Sequence, residues 1–232
     1  EIGTKMSYDK NRFVEKMREI KISEKYIQEI MDPLPERFEY YNFKIAVHKL
    51  LEVSTIGEVK KMALHEMTWL VDSYYDLKFH EQSDISERVL FPNSPSESKG
   101  IEDARFVRFM DDDGEETIYA TYTAFNGHTI IPKLLSTPDF LNFRIMPIHG
   151  NAAQNKNFAL FPRKIKGKYA MLARVDGYNN YIIVSDRITL WSNPSNIQEP
   201  KFACDLTQIG KCSSPIHTNE IWLVLTHVVG TM

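Results

Sequence analysis

Gly100-Ile-Glu-Asp-Ala-Arg-Phe-Val-Arg-Phe109 decides the fold, because its outline recurs twice downstream. Each copy has a short polar lead-in, a strand, a turn, and a second strand with an aromatic near its start. The first copy reaches Tyr119-Ala-Thr-Tyr-Thr-Ala124. The second runs from Asn155-Lys156-Asn-Phe-Ala-Leu160 to Tyr169-Ala-Met-Leu-Ala-Arg174. The third runs from Ser213-Ser-Pro-Ile-His217 to Trp222-Leu-Val-Leu-Thr-His227. The markers Tyr119, Tyr169 and Trp222 are about 50 residues apart, a period that fits β-propeller blades of several strands each. Such a repeat brings loops distant in sequence to one axis, which is how a site is assembled.

The chain has 232 residues, 43% of them hydrophobic and 25% charged, with a net charge of −3. That balance describes a globular protein and predicts neither a nucleic-acid nor a membrane partner. Cys204 and Cys212 are too few for a disulfide scaffold, so a reduced, cytoplasmic protein is expected. No apolar run reaches the roughly 18 residues of a membrane span, and Glu1-Ile-Gly-Thr-Lys-Met-Ser lacks the pattern of a signal peptide. The seven histidines show no paired spacing, so no metal is expected.

The character of the chain changes near residue 75. Before it the apolar spacing is helical: Phe13, Val14, Met17 and Ile20; then Tyr26, Ile27, Ile30 and Met31 behind a Ser23 N-cap. A third helix carries Phe43, Val47, Leu50 and Leu51, and a fourth starts near Ser54 or Thr55. Residues 1–73 are thus expected to form a helical appendage and residues 74–232 a β-domain. The appendage serves either as a cap or oligomer contact or as packing over one end of the β-domain. Within the β-domain, Asp111-Asp-Asp-Gly114 and Asn126-Gly127 are tight turns, glycine supplying positive φ. Three such units do not close a ring, so either further blades lie outside this chain, the favoured expectation, or the chain does not form a standard propeller.

Gly100-Ile-Glu-Asp-Ala-Arg-Phe-Val, the run Tyr-Thr-Ala-Phe-Asn-Gly at 122–127, Ala159-Leu-Phe-Pro-Arg-Lys-Ile165 and Ser214-Pro-Ile with Thr226-His227 stand in order and spacing. In these motifs, and in Glu87-Arg-Val-Leu-Phe-Pro92 ahead of them, the chain resembles glycoside hydrolase family 130, the β-mannoside phosphorylases and their hydrolase relatives. The resemblance covers residues 75–232 and implies a mainly β fold, a five-bladed β-propeller with incomplete blades here, behind an N-terminal helical segment.

The resemblance also implies a chemistry. Glycosidic cleavage generally uses two carboxylates; a phosphorylase needs only the acid, because inorganic phosphate, a co-substrate and not a cofactor, is the nucleophile. Asp103 matches the family's general acid, with Glu102 and Arg105 as its charged neighbours in the motif. Lys156 and Arg174 match the basic positions that contact phosphate or adjoining sugar hydroxyls, and cations suit an oxyanion through paired N–H donors or a point charge. Arg105, His227, Asn155 and Gly100 complete the implied binding set. Arg163, Lys164 and His217 read as solvated or structural.

Two further readings stay open beside the phosphorylase. One is a β-mannosidase of the same fold, with water in place of phosphate. The other is a catalytically inactive sugar-binding fragment. The expected partners are a small β-mannoside or oligosaccharide and phosphate, with a homo-oligomer left open.

Overall fold

A computed structural model describes residues 7–53, 57–201, 208–211 and 213–229. The chain divides into two compact units, Glu1–Ser83 and Asp84–Met232, a division about ten residues beyond the change of pattern in the sequence. Cys204 and Cys212 lie outside the described residues.

The first unit contains β1 (Tyr8–Asp9), α1 (Lys10–Glu19), α2 (Glu24–Met31), β2 (Arg37–Phe38), α3 (Tyr40–Val53), α4 (Glu58–Ser73) and β3 (Tyr75–Lys78). Asp9 caps α1 by accepting from the Arg12 N–H at 3.0 Å. Ser23 occupies the N-cap of α2 but its side chain makes no capping bond. The expected start of the fourth helix, Ser54 or Thr55, lies outside the described residues; α4 begins at Glu58 behind Gly57. The core is aromatic: Phe13 packs edge-on against Tyr8, Phe38 and Phe43, and Tyr8 stacks on Phe38 at 5.0 Å.

The second unit is mainly β. Strands β4 (Ile101–Met110), β5 (Glu116–Phe125), β6 (Ile130–Thr137) and β7 (Asn142–Pro147) lie side by side in chain order, each antiparallel to the next. Strands β8 (Ala159–Leu160), β9 (Tyr169–Ala173), β10 (Asn180–Ser185) and β11 (Ser195–Gln198) repeat that meander. Gly114 closes the first hairpin at φ +84°, donating to the Asp111 carbonyl at 3.0 Å. The two sheets meet through Phe109 and Tyr169, stacked at 5.4 Å, and through the Thr121 hydroxyl, which donates to the Phe158 carbonyl at 2.7 Å.

The third copy departs from the expected pattern. Its strands form two separate pairs, β13 (Ile216–His217) with β14 (Trp222–Leu223), and β12 (Gln208–Lys211) with β15 (Thr226–Val229). Trp222 and Val224 pack on the apolar cluster Ala159, Phe161, Ala170 and Leu172 of the second meander, Trp222 edge-on to Phe161 at 4.9 Å. Among the described residues these sheets do not close into a ring. His227 therefore sits within β15 and not at the end of the strand that begins at Trp222.

One buried charge system fixes the segment ahead of β4. Glu97, 1% exposed, takes Lys133 Nζ at 2.8 Å and the Tyr122 hydroxyl at 2.7 Å on Oε1, and the Asn93 and Ser94 N–H groups on Oε2. Lys133, with no exposed surface, also donates to Ser94 Oγ at 2.9 Å. Burial pushes the Glu97 carboxyl up, but Lys133, Tyr122 and Asn93 outweigh it and hold the group below its ordinary value. Its contribution is present above the unfolded carboxyl pKa and lost as pH falls through the lower folded one. Lys133→Met strands the Glu97 carboxylate, and unfolding in urea is expected to show a loss of about 3–5 kcal/mol. A Lys133→Met/Glu97→Leu double variant should recover part of that loss; no recovery means the pair is not the source of the instability.

Candidate functional site

Asp103 owes its position to a fault in the β4–β5 ladder. Glu102 pairs with Thr123 and Arg105 with Thr121, so Asp103 and Ala104 together face Tyr122. Asp103 takes φ +57° within this bulge, a left-handed conformation that Asp tolerates better than most side chains. A bulge bends its strand and re-aims a side chain; here it leaves Asp103 exposed at the start of β4. Gly100 stands just before it at φ +121°, donating to the Glu97 carbonyl at 2.8 Å. A Cβ there would meet nothing within 4 Å, so the backbone angle and not space calls for glycine.

Behind the bulge three cations converge. Arg174 follows β9 directly and is only 3% exposed. Lys211 ends β12 with no exposed surface, its Nζ donating to Asn180 Oδ1 at 2.9 Å. Arg105 donates through a guanidinium nitrogen to the Lys211 carbonyl. Burial, then Arg105, hold Arg174 below its ordinary pKa, while Asp103 and Asp176 pull it the other way. Burial, then Arg105 and Arg174, push the Lys211 ammonium down to about 7. Among the described residues neither Arg174 nor Lys211 has a carboxylate ion-pair partner, and Arg174 Nε makes no hydrogen bond. Buried cations without counter-charge are costly. An arrangement of this kind suits an anion, which would supply the missing charge and accept several N–H donors at once.

The Asn155-Lys156-Asn157 segment braces this cluster. Asn155 and Asn157 sit at φ +65° and +76°. Asn155 Nδ2 donates to the Val175 carbonyl at 3.4 Å, in the turn that follows Arg174. Buried Asn157 accepts the Lys211 N–H at 2.8 Å. Lys156 takes another direction: its Nζ pairs with Glu102 Oε1 at 3.2 Å, one residue from Asp103. Across the β12–β15 pair His227 lies opposite Gly210, and a Cβ on Gly210 would run into the imidazole. The glycine makes room for the ring one residue from Lys211.

The structure thus places Asp103, Arg105 and Arg174 within electrostatic reach of one another, with Asn155 on the Arg174 turn, Lys156 on Glu102 beside Asp103 and His227 next to Lys211. Lys211, Asn157 and Asn180 escape the sequence reading. Nothing in Gln208-Ile-Gly-Lys211 separates a buried lysine from a solvated one; the Asn-Lys-Asn triplet signals an unusual backbone only weakly. Two residues read as solvated are engaged. Lys164 pairs with Asp111 at 2.5 Å, and Arg163 lies over Trp222 at 5.3 Å and bonds His217 at 3.1 Å. Among the described residues no group of three His, Cys, Asp or Glu side chains is placed to hold a metal.

Residues 59–232 match the family model described as beta-1,4-mannooligosaccharide phosphorylase. A beta-1,2-mannobiose phosphorylase from Listeria innocua is 29% identical over 60% of this chain and 39% of its own. A beta-1,4-mannooligosaccharide phosphorylase from Ruminococcus albus is 35% identical over 32% of this chain and 24% of its own. The solved structure of the Listeria innocua enzyme with beta-1,2-mannobiose superposes with a TM-score of 0.53 at 25% identity, over 67% of this chain and 45% of that one. The chain therefore spans less than half the length of each of these relatives. With the family model covering three quarters of its residues, the chain belongs to glycoside hydrolase family 130.

Proposed function

We propose that this chain carries the acid and part of the phosphate cradle of an inverting β-mannoside phosphorylase, whose two complete meanders are blades of a five-bladed propeller. The observation that carries this reading is the burial of Arg174 and Lys211 beside Arg105 without a carboxylate partner for either of the first two. A hydrolase would have water as nucleophile and no use for such a cluster; inorganic phosphate would fill it.

Each residue then has a task. Arg174, Arg105 and Lys211 hold phosphate by charge-assisted bonds, with Asn155 bracing the Arg174 turn and His227 flanking Lys211. A phosphate oxygen attacks the anomeric carbon of the mannoside from the side opposite the glycosidic oxygen. The C–O bond to the leaving sugar breaks, and a proton from Asp103, relayed through a substrate hydroxyl, goes to the departing oxygen. The products are mannose 1-phosphate and the shortened sugar. Lys156 offers a contact to phosphate or an adjoining sugar hydroxyl; its pairing with Glu102 is partly exposed and so contributes little by itself.

Replacing Asp103 with Asn preserves shape but removes the proton. In the full-length protein turnover should fall about 10²–10⁴-fold with the melting temperature unchanged. An unfolded variant, or one with full activity, makes Asp103 structural.

Loss of a charge-assisted hydrogen bond costs about 1.5–3 kcal/mol. Arg174→Ala should therefore raise the phosphate concentration needed for half-maximal rate roughly 10- to 100-fold, at about 1.4 kcal/mol per tenfold. Release of free mannose at the same rate without phosphate, read by product chromatography, would favour the mannosidase.

The Lys211 pKa of about 7 gives the site a pH dependence. Below that pH the ammonium is charged and an anion gains its full attraction; above it, binding must take up a proton. Sulfate, which does not titrate in this range, should bind progressively more weakly from pH 6 to 9, by at most about tenfold per unit. Lys211→Met should flatten that profile. The stability sign is opposite: the unfolded lysine keeps its proton longer, so the cost of burying the charge disappears as pH rises above 7 toward the ordinary lysine value. Calorimetric titration measures the first, and urea midpoints across pH the second.

A further inference from the structure

The Glu97 system has a geometric relation to Asp103 that its stabilising role does not require. Tyr122 is the β5 residue that faces the bulge, since Thr123 and Thr121 on either side of it pair with Glu102 and Arg105. Its hydroxyl donates to Glu97 Oε1 at 2.7 Å. Lys133 is the direct cross-strand neighbour of Tyr122 on β6 and donates to the same oxygen at 2.8 Å. The backbone carbonyl of Glu97 accepts the Gly100 N–H at 2.8 Å, and the Gly100 carbonyl accepts the Phe125 N–H at 3.1 Å. The Lys99 N–H closes the link by donating to the Phe125 carbonyl at 2.9 Å. One residue thus grips the start of β4 through its backbone and the strand opposite the bulge through its side chain.

We infer that Glu97, with Tyr122 and Lys133, is a positioning residue for Asp103: the buried carboxylate clamps the bulge between two fixed points and so sets where the Asp103 carboxyl is aimed. The inference rests on the reading of Asp103 as the acid. The physical case is that a left-handed residue in a two-against-one bulge has few ladder bonds of its own to hold it. Its orientation must come from the neighbours on either side. Gly100 and Tyr122 are those neighbours, and both lead to Glu97. Arg174 and Lys211 come from other segments and only Arg105 borders the bulge, so a loosened bulge should disturb proton delivery more than phosphate binding.

The test uses Tyr122→Phe, which removes one hydroxyl from the clamp, and Glu97→Gln, which removes its charge, in the full-length protein. Small displacements of a catalytic group cost up to about 10²-fold, so kcat should fall about 10- to 100-fold, with a clearly smaller change in the KM for phosphate, since only Arg105 of the cradle borders the bulge. Amide exchange at residues 100–105 should quicken while β9 and β10 keep their protection. On an Asp103→Asn background the same substitutions should add no further loss of rate. A lowered melting temperature with wild-type kcat well below it, or a full additional loss on the Asp103→Asn background, would overturn the positioning role. The two readings fail separately. A fully active Asp103→Asn protein with faster exchange at the bulge removes the acid and supports the clamp. Unchanged exchange in both clamp variants removes the clamp whatever Asp103 does. Should Glu97→Gln not fold, Tyr122→Phe alone decides.

Discussion

Burying a charge is the constraint on which the β unit is built, and the unit meets it in two opposite ways. Glu97 and Lys133 are buried together, and the carboxylate collects a lysine, a tyrosine hydroxyl and two backbone N–H groups. Charge and hydrogen-bonding capacity are answered inside the protein, which makes the pair a fastening. Arg174 and Lys211 are also buried, beside Arg105, and among the described residues neither forms a carboxylate ion pair, Asp103 and Asp176 only partly offsetting the cost at Arg174. Desolvation and mutual repulsion depress both, Lys211 as far as about 7. A cost of this kind would be offset by a bound anion, which is the physical ground for the phosphate reading proposed above.

Backbone strain follows the same division. Asp103, Asn155 and Asn157 hold positive φ, and each touches the site: one presents a carboxyl from a bulge, one bonds the turn after Arg174, one accepts the Lys211 N–H. Left-handed residues persist only where the surroundings over-determine them. The surroundings here are regular: two antiparallel meanders joined by the Phe109–Tyr169 stack and by Thr121 reaching the Phe158 carbonyl. Rigid sheets hold the irregular residues, and it is on these that the proposed chemistry rests.

Much of this was legible beforehand. The 50-residue spacing of Tyr119, Tyr169 and Trp222 marked three copies, and the first two became meanders of four strands. Asp111–Gly114 and Asn126-Gly127 announced their turns because only certain residues accept those dihedrals. Asp103, Arg105 and Arg174 were named from motif register, and electrostatics bring them together. The third copy differs at His227: Trp222–His227 has the pattern of one strand, but the structure divides it into β14 and β15. Its continuation pairs instead with β12, a partner that no local pattern specifies.

The sequence by itself determined the family, the alternation of strands and turns, and the residues whose types suit an acid and an oxyanion cradle, because those signals are local or lie in motif order. Only the tertiary structure decided which charges lose their water. Lys133 and Lys211 are both lysines in strands with no exposed surface. Folding places one on a carboxylate from a segment 36 residues away and the other beside two arginines from separate segments. A lysine's role is set by the dielectric and the charges around it. Those are properties of what the chain packs against.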